Sequence, residues 1–343
     1  MHSDFEAILQ THRDHYPLMK PQDLAKLAYQ NEYGPAHLGL DPEAAFWEID
    51  TEWESLPPHT PIREPEPIGN GLCRYHMNIG CDTNLAAPLL TELSLRTAQE
   101  YEGTQEGLLE KLPLLGSDPW LDKWKAEGCP PVRHSDTFRI AYTPHYRLLR
   151  TDYAGYFSVL FRIAVLLQRQ ERVVIAIDGR CGSGKTGLAE LIASIFDSNI
   201  FHTDDYYLPL DAREPDWENI PGGNMDLFRF RDEVLFPAFS GETVFHCPYD
   251  CQTSSYRETT AFSPRALTII EGSYALHPAL DVRYDLKIFL TCSPAAQTRR
   301  LKAREGEYYR MFKTRWIPME ERYISRFRIN RESLSIDTSE FFE

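Results

Sequence analysis

A chain of 343 residues with 42% hydrophobic and 25% charged content is long enough for one or two globular domains with buried cores. A net charge of −15 argues against general nucleic-acid binding. No apolar run approaches the roughly 18 residues of a membrane span. The amino terminus, Met1 to Glu6, lacks a basic stretch followed by an apolar one, so no secretory signal is read. Seven scattered cysteines without Cys-x-x-Cys spacing fit reduced thiols in a cytoplasmic protein.

Residues 1–165 read as a mainly helical α+β domain. Helices are predicted over 21–32, with Leu24, Leu27 and Ala28 on one face, and over 41–54, with Ala45, Phe46, Ile49 and Trp53. Pro42 suits a first helical turn. Five prolines between Pro57 and Pro67 mark an irregular connection, and 72–79 reads as a strand. Residues 85–112 read as two helices broken near Gly103. A short helix starts at Ser117-Asp118-Pro119 and stops at Gly128, and Tyr153 to Gln168 reads as a helix joining the two halves. His37, Arg74, His76, His134, Arg139, His145 and Arg147 fit capping, turn packing and satisfied core histidines, since no metal spacing or nucleophile arrangement emerges among them. The sharper alternative is a substrate-recognition or regulatory module.

From residue 166 to 343 a second domain is expected. Val173 to Ile177 is a continuous apolar run, as in a strand buried on both faces of a parallel sheet. A Gly-x-x-x-x-Gly-Lys-Thr loop follows, from Gly179 to Thr186, and then a helical pattern of Leu188, Leu191, Ile192, Ile195 and Phe196. Further strands are predicted at 199–203, 266–270 and 286–291, with a β-hairpin insertion formed by 242–248 and 256–262 and a helix after Leu227. This alternation implies a doubly wound parallel sheet with ligands at the carboxyl ends of its strands.

Chemistry concentrates at those ends. Gly179, Gly182, Ser183 and Gly184 supply backbone N–H groups that can close on phosphate oxygens, helped by the positive helix terminus. Lys185 is placed to reach the β- and γ-phosphates and Thr186 to ligate Mg²⁺, so ATP and Mg²⁺ are the expected cofactors. Asp204 in Thr-Asp-Asp-Tyr-Tyr is the candidate general base. Glu271, ending Leu-Thr-Ile-Ile, is the candidate for holding Mg²⁺. Residues 299–331 carry 11 Lys/Arg against four acids, a net +7 best explained by bound phosphates. Arg300 and Arg304, four apart on one helical face, are candidates for a closing cationic lid.

Gly179 to Thr186, Asp204-Asp205-Tyr206-Tyr207, Pro248-Tyr249-Asp250, Glu271-Gly272 and Arg300-x-x-x-Arg304 resemble, in order and spacing, the uridine kinase and phosphoribulokinase-like P-loop kinases, over about residues 170 to 335. The resemblance implies a P-loop NTPase-type α/β fold with a helical lid. It implies that Asp204 activates a sugar 5′-hydroxyl, that Tyr207 contacts the nucleoside and that Asp226 holds ribose hydroxyls. Tyr249 lies in the Pro-Tyr-Asp motif near the expected substrate. The histidine that uridine kinases carry just after that motif is replaced by Cys251 to Ser255, where Gln252 or Thr253 is the candidate for reading a base edge. The lid sequence from Arg310 to Pro318 also departs from the usual pattern. Related kinases often associate, so a homo-oligomer is compatible with the resemblance.

The expected activity is therefore an ATP- and Mg²⁺-dependent phosphotransferase acting on a small hydroxyl substrate, uridine or cytidine first, with neither nucleic acid nor membrane as partner. The alternatives are a kinase of pantothenate, a sugar phosphate or another hydroxyl metabolite, and a nucleotide-driven switch acting through residues 1–165. Neither an Asn-Lys-x-Asp guanine-reading motif nor a Leu-Ser-Gly-Gly signature occurs, which disfavours the common switch and transporter ATPases.

Overall fold

The computed structural model describes residues 2–35, 41–78, 80 and 82–341. His37 and Ile79, the last position of the strand read over 72–79, lie outside the described residues. The chain divides into two compact units, Met1–Phe161 with Phe341–Glu343, and Arg162–Glu340. The division falls inside the helix Thr151–Arg169.

The second unit is built on a five-stranded parallel sheet. Its order across the sheet is Leu334–Asp337, Leu286–Thr291, Val173–Gly179, Leu267–Glu271, Ser198–His202. Val173–Gly179 is central and buried at every position, which is why its sequence is apolar without alternation. Register brings the strand ends level, with Glu271 opposite both Ile177 and His202, and Leu290 opposite Gly179. On one face Val174, Ala176, Phe201, Ile270 and Phe289 pack against Tyr206, Phe230, Val234, Leu235, Tyr323 and Ile324. The Val, Leu, Ile and Phe side chains among them, fully buried, contribute about 1.5–3 kcal/mol each. The helix Lys185–Ile195 packs on three of the strands through its apolar stripe.

The four strands expected here are present, and a fifth, Leu334–Asp337, was not expected. The insertion is a β-hairpin in two ladders, Val244–His246 with Thr260–Phe262 and Tyr249–Asp250 with Ser255–Tyr256. The helix after Leu227 runs from 227 to 240 with a π-helical turn at Arg231–Leu235. No described helix is long and apolar enough to cross a membrane.

The first unit holds a three-stranded antiparallel sheet, Glu66–Gly69, Leu72–His76 and Tyr146–Arg150 in that order, of which only the middle strand was expected. The helices Pro21–Tyr33, Pro42–Glu54, Thr83–Glu100, Gln105–Lys111 and Pro119–Ala126 follow the sequence pattern. His2–His15 and Asp136–Tyr142 add to them. Phe5, Leu9, Leu27, Ile68, Leu72 and Trp124 belong to its core.

A buried polar chain runs through this unit. Asp23 meets His134 Nδ1 at 3.0 Å, and His134 Nε2 lies 2.7 Å from the Tyr146 hydroxyl. Gln30 donates to that hydroxyl at 3.1 Å and accepts from Arg74 at 2.8 and 3.1 Å. Arg74, 1% exposed, ends the chain on Glu66 at 3.2 Å. His145 and Arg147 both pair with Glu52, at 2.9 and 2.8 Å, while exposed Arg139 lies 3.9 Å from Asp136. Burial pushes His12, His76 and His134 each down to about 4.

Candidate active site

The strand Val173–Gly179 delivers the chain into the loop that precedes helix Lys185–Ile195. Gly179 has φ +141°, and a Cβ there would stand 2.0 Å from the Leu290 carbonyl oxygen, so only glycine fits. Gly184 adopts φ 92° at the cap of the helix, turning backbone N–H groups toward the loop interior. Gly179→Ala is expected to cost about 3 kcal/mol of stability and to abolish nucleotide binding, read by chemical denaturation and by nucleotide titration.

Lys185 donates to the carbonyls of Gly179 at 3.0 Å and Arg180 at 3.3 Å. Burial alone would lower its pKa, but the carboxylates of Glu320, Glu271 and Asp178 outweigh burial and hold it above its ordinary value. Thr186 Oγ1 lies 3.4 Å from Glu271 Oε1, and His202 Nδ1 lies 2.7 Å from Glu271 Oε2. That hydrogen bond to Glu271, against some desolvation, raises the His202 pKa.

Asp204 follows the adjacent strand and accepts from the Tyr207 hydroxyl at 3.0 Å. Desolvation in the cleft raises its pKa, with Glu271 and Glu320 adding to the rise and Lys185 opposing it. Lys185, Thr186, Asp204, Tyr207, Glu271 and Arg304 all line one cavity of about 330 Å³. A set chosen from scattered sequence positions thus converges on one space, as the common level of the strand ends requires.

Other candidates stand apart from the cavity walls. Arg300 is tied down beneath the loop, donating to the carbonyls of Thr338 at 2.5 Å and Ser339 at 3.1 Å and to Gly182 O at 3.3 Å. Asp226 caps a helix, accepting from Arg229 N at 3.1 Å. Tyr249 packs edge-on against Tyr256 in the hairpin. Gln252 is exposed in the hairpin turn, its backbone N–H donating to Asp250 at 2.8 Å. Ser183 is buried, and its carbonyl accepts from Thr338 Oγ1 at 2.9 Å.

Two acids here escaped sequence reasoning. Glu320 accepts from the loop N–H of Cys181 at 2.9 Å and from Ser273 Oγ at 2.6 Å, and it lines the cavity. Its signal was an acid inside the apolar stripe Met319, Tyr323, Ile324 of the helix Ile317–Phe327. Asp178, wholly buried, accepts from the N–H groups of Gly179 at 2.6 Å and Leu276 at 2.9 Å and from the Tyr323 hydroxyl at 2.7 Å. Burial raises it to about 6 against those donors. Its signal was a carboxylate between an apolar strand and the first loop glycine.

These residues suit a nucleotide and Mg²⁺. Glycine at 179 lets the loop turn tightly against Leu290, the ammonium of Lys185 has only neutral carbonyls as hydrogen-bond partners among the described residues, and Thr186 with Glu271 offers hard oxygens suited to Mg²⁺.

No protein-family model matches the chain, and no curated protein matches it in sequence. Among solved structures it is similar to a possible uridine kinase from Bacillus stearothermophilus, at 19% identity and TM-score 0.42, over 52% of this chain and 100% of that one. It is also similar to a candidate fructose transport system kinase from Silicibacter sp. TM1040, at 20% identity and TM-score 0.36, over 50% and 96%. A third similar structure is the deoxyadenosine kinase from M. mycoides with bound dATP, at 12% identity and TM-score 0.24, over 49% and 91%. The P-loop type of fold assigned here rests on the strand order and the glycine loop themselves.

Proposed function

We propose that the second unit is an ATP- and Mg²⁺-dependent small-molecule kinase that transfers the γ-phosphoryl group to a hydroxyl of a nucleoside-like substrate, uridine or cytidine first. The observation that carries this reading is the convergence of a carboxylate, Asp204, with Lys185 and the Thr186–Glu271 pair in one cavity. A nucleotide-binding switch has no need of such a base beside the phosphates.

In this reading the acceptor hydroxyl lies against Asp204. As its oxygen bonds to the γ-phosphorus and the bond to the departing ADP oxygen breaks, its proton passes to the Asp204 carboxylate. Tyr207, bonded to Asp204 at 3.0 Å, fixes the carboxylate's rotamer. Lys185 and Arg304 face the spreading phosphoryl charge. Thr186 and Glu271 would hold Mg²⁺, which supplies neutralisation of the phosphate oxygens. Of the residues proposed to recognise the nucleoside, Tyr207 lines the cavity, so the acceptor class rests chiefly on it and on the resemblance.

The test is a screen of nucleosides, sugar phosphates, pantothenate and other hydroxyl metabolites with ATP and Mg²⁺, reading phosphorylated product by mass. A product from uridine or cytidine is expected. ATP turnover indifferent to every alcohol offered, with no product, would sink the proposal.

A further inference from the structure

A cavity of about 470 Å³, a volume typical of small-molecule sites, lies in the first unit. One wall is the helix Pro21–Tyr33, which presents Lys26 and Gln30 one turn apart. Beside them stand His134 and Tyr146, locked by the hydrogen bonds of the buried polar chain. The facing walls are apolar and small: Ala45 and Ile49 from the helix Pro42–Glu54, Leu95 and Ala98 from the helix Thr83–Glu100.

The charges of this cavity are not balanced alike. At the rim, Glu52 and Glu48 face Arg147 at 2.8 and 3.7 Å, and Asp41 is held by the N–H groups of Glu43 and Ala44 at the start of its helix. Lys26 makes no ion pair among the described residues and donates only to the Val132 carbonyl, at 3.3 Å. A cation with no direct ion pair, its charge answered only at a distance by Asp23, suits an anion with an apolar body in a largely apolar chamber. The arginine of the lining, Arg147, is engaged by Glu48 and Glu52, and a single ammonium suits a carboxylate.

We propose that the first unit is a binding site for a small organic carboxylate, its anion on Lys26 and its apolar body against Ala45, Ile49, Leu95 and Ala98. Burial, with Arg74 nearby, lowers Lys26 to about 8, which an anionic ligand would reverse. The inference is independent of the kinase reading of the second unit.

Ligand-observed NMR on the full chain tests it with hexanoate and hexylamine, two probes with one tail and opposite charge. Hexanoate is expected to bind and hexylamine to fail. Lys26→Met is expected to weaken hexanoate about tenfold or more, as for loss of a charge-assisted hydrogen bond. Ala98→Trp, which fills the chamber and leaves the lysine, is expected to abolish binding. Should Lys26→Met not fold, acylation of Lys26 in the natural chain, followed by peptide mass, serves instead, and hexanoate is expected to slow it. Equal binding of both probes, no binding of hexanoate at 10 mM (on the order of a weak fragment's affinity), or a Lys26→Met or acylation result without effect overturns the proposal.

Discussion

Asp204→Asn is expected to leave ATP binding in place and to lower phosphoryl transfer by about 10²-fold or more. The amide keeps the size of the side chain and the contact to Tyr207, but it cannot take the acceptor's proton. Transfer then depends on water or on a weaker base. Steady-state kinetics should show the loss in kcat with little change in the nucleotide's KM. The neighbour supplies the control: Asp205 turns away to lie 3.3 Å from His246, so Asp205→Asn is expected to spare the chemical step. Full activity in Asp204→Asn would remove the base from the mechanism, and lost ATP binding would mean that the substitution had disturbed the loop.

Acid should undo the first unit before the second. His12, His76 and His134 are held neutral by burial, down to about 4, whereas the unfolded chain takes up protons near 6.5. The unfolded state therefore binds more protons below 6.5, and stability present above that pH is lost as pH falls toward 4. Each histidine contributes about 1.4 kcal/mol per pH unit in that window, so three together contribute about 4 kcal/mol per unit. In the second unit His277 is likewise lowered to about 4, but His202 is raised, and the two act in opposite senses. Denaturant titrations at pH 7 and pH 5 should show the first unit's transition moving to far lower denaturant. Equal shifts for both units would contradict the assignment of these histidines as neutral and buried.

The parts of the fold that were readable in the sequence are those where local pattern and burial agree. The runs 173–177 and 266–270 are apolar because both sheet faces are covered, and no other structure accommodates them as well. The edge strand Leu334–Asp337 was missed because it is half exposed and alternates with polar residues over only four positions. Tyr146–Arg150 was missed because its Tyr and Arg side chains serve the polar chain and surface pairs, so it carries little apolar signal. At the site, Lys185, Thr186, Asp204 and Glu271 were legible through spacing, since each ends or follows a strand. Glu320 was not, because an acid on a helix with as many acids as arginines reads as a solvated charge until the fold turns it onto the loop. Arg300 shows the reverse case: its one-turn spacing from Arg304 gave a shared face, but the carbonyls of Thr338 and Ser339 claim its guanidinium.

The hydrogen bond from Thr338 to Ser183 has a consequence for the order in which the molecule can be completed. It joins residues 155 positions apart, one in the glycine loop and one just past the last strand. A ribosome adding about 5–20 residues per second would expose the loop roughly 8–30 s before its buttress emerged. During that interval the loop has its glycines and its lysine but lacks the floor made by Thr338 and Arg300. The glycine loop is thus completed only after residue 338 has left the ribosome, long after the loop itself has emerged.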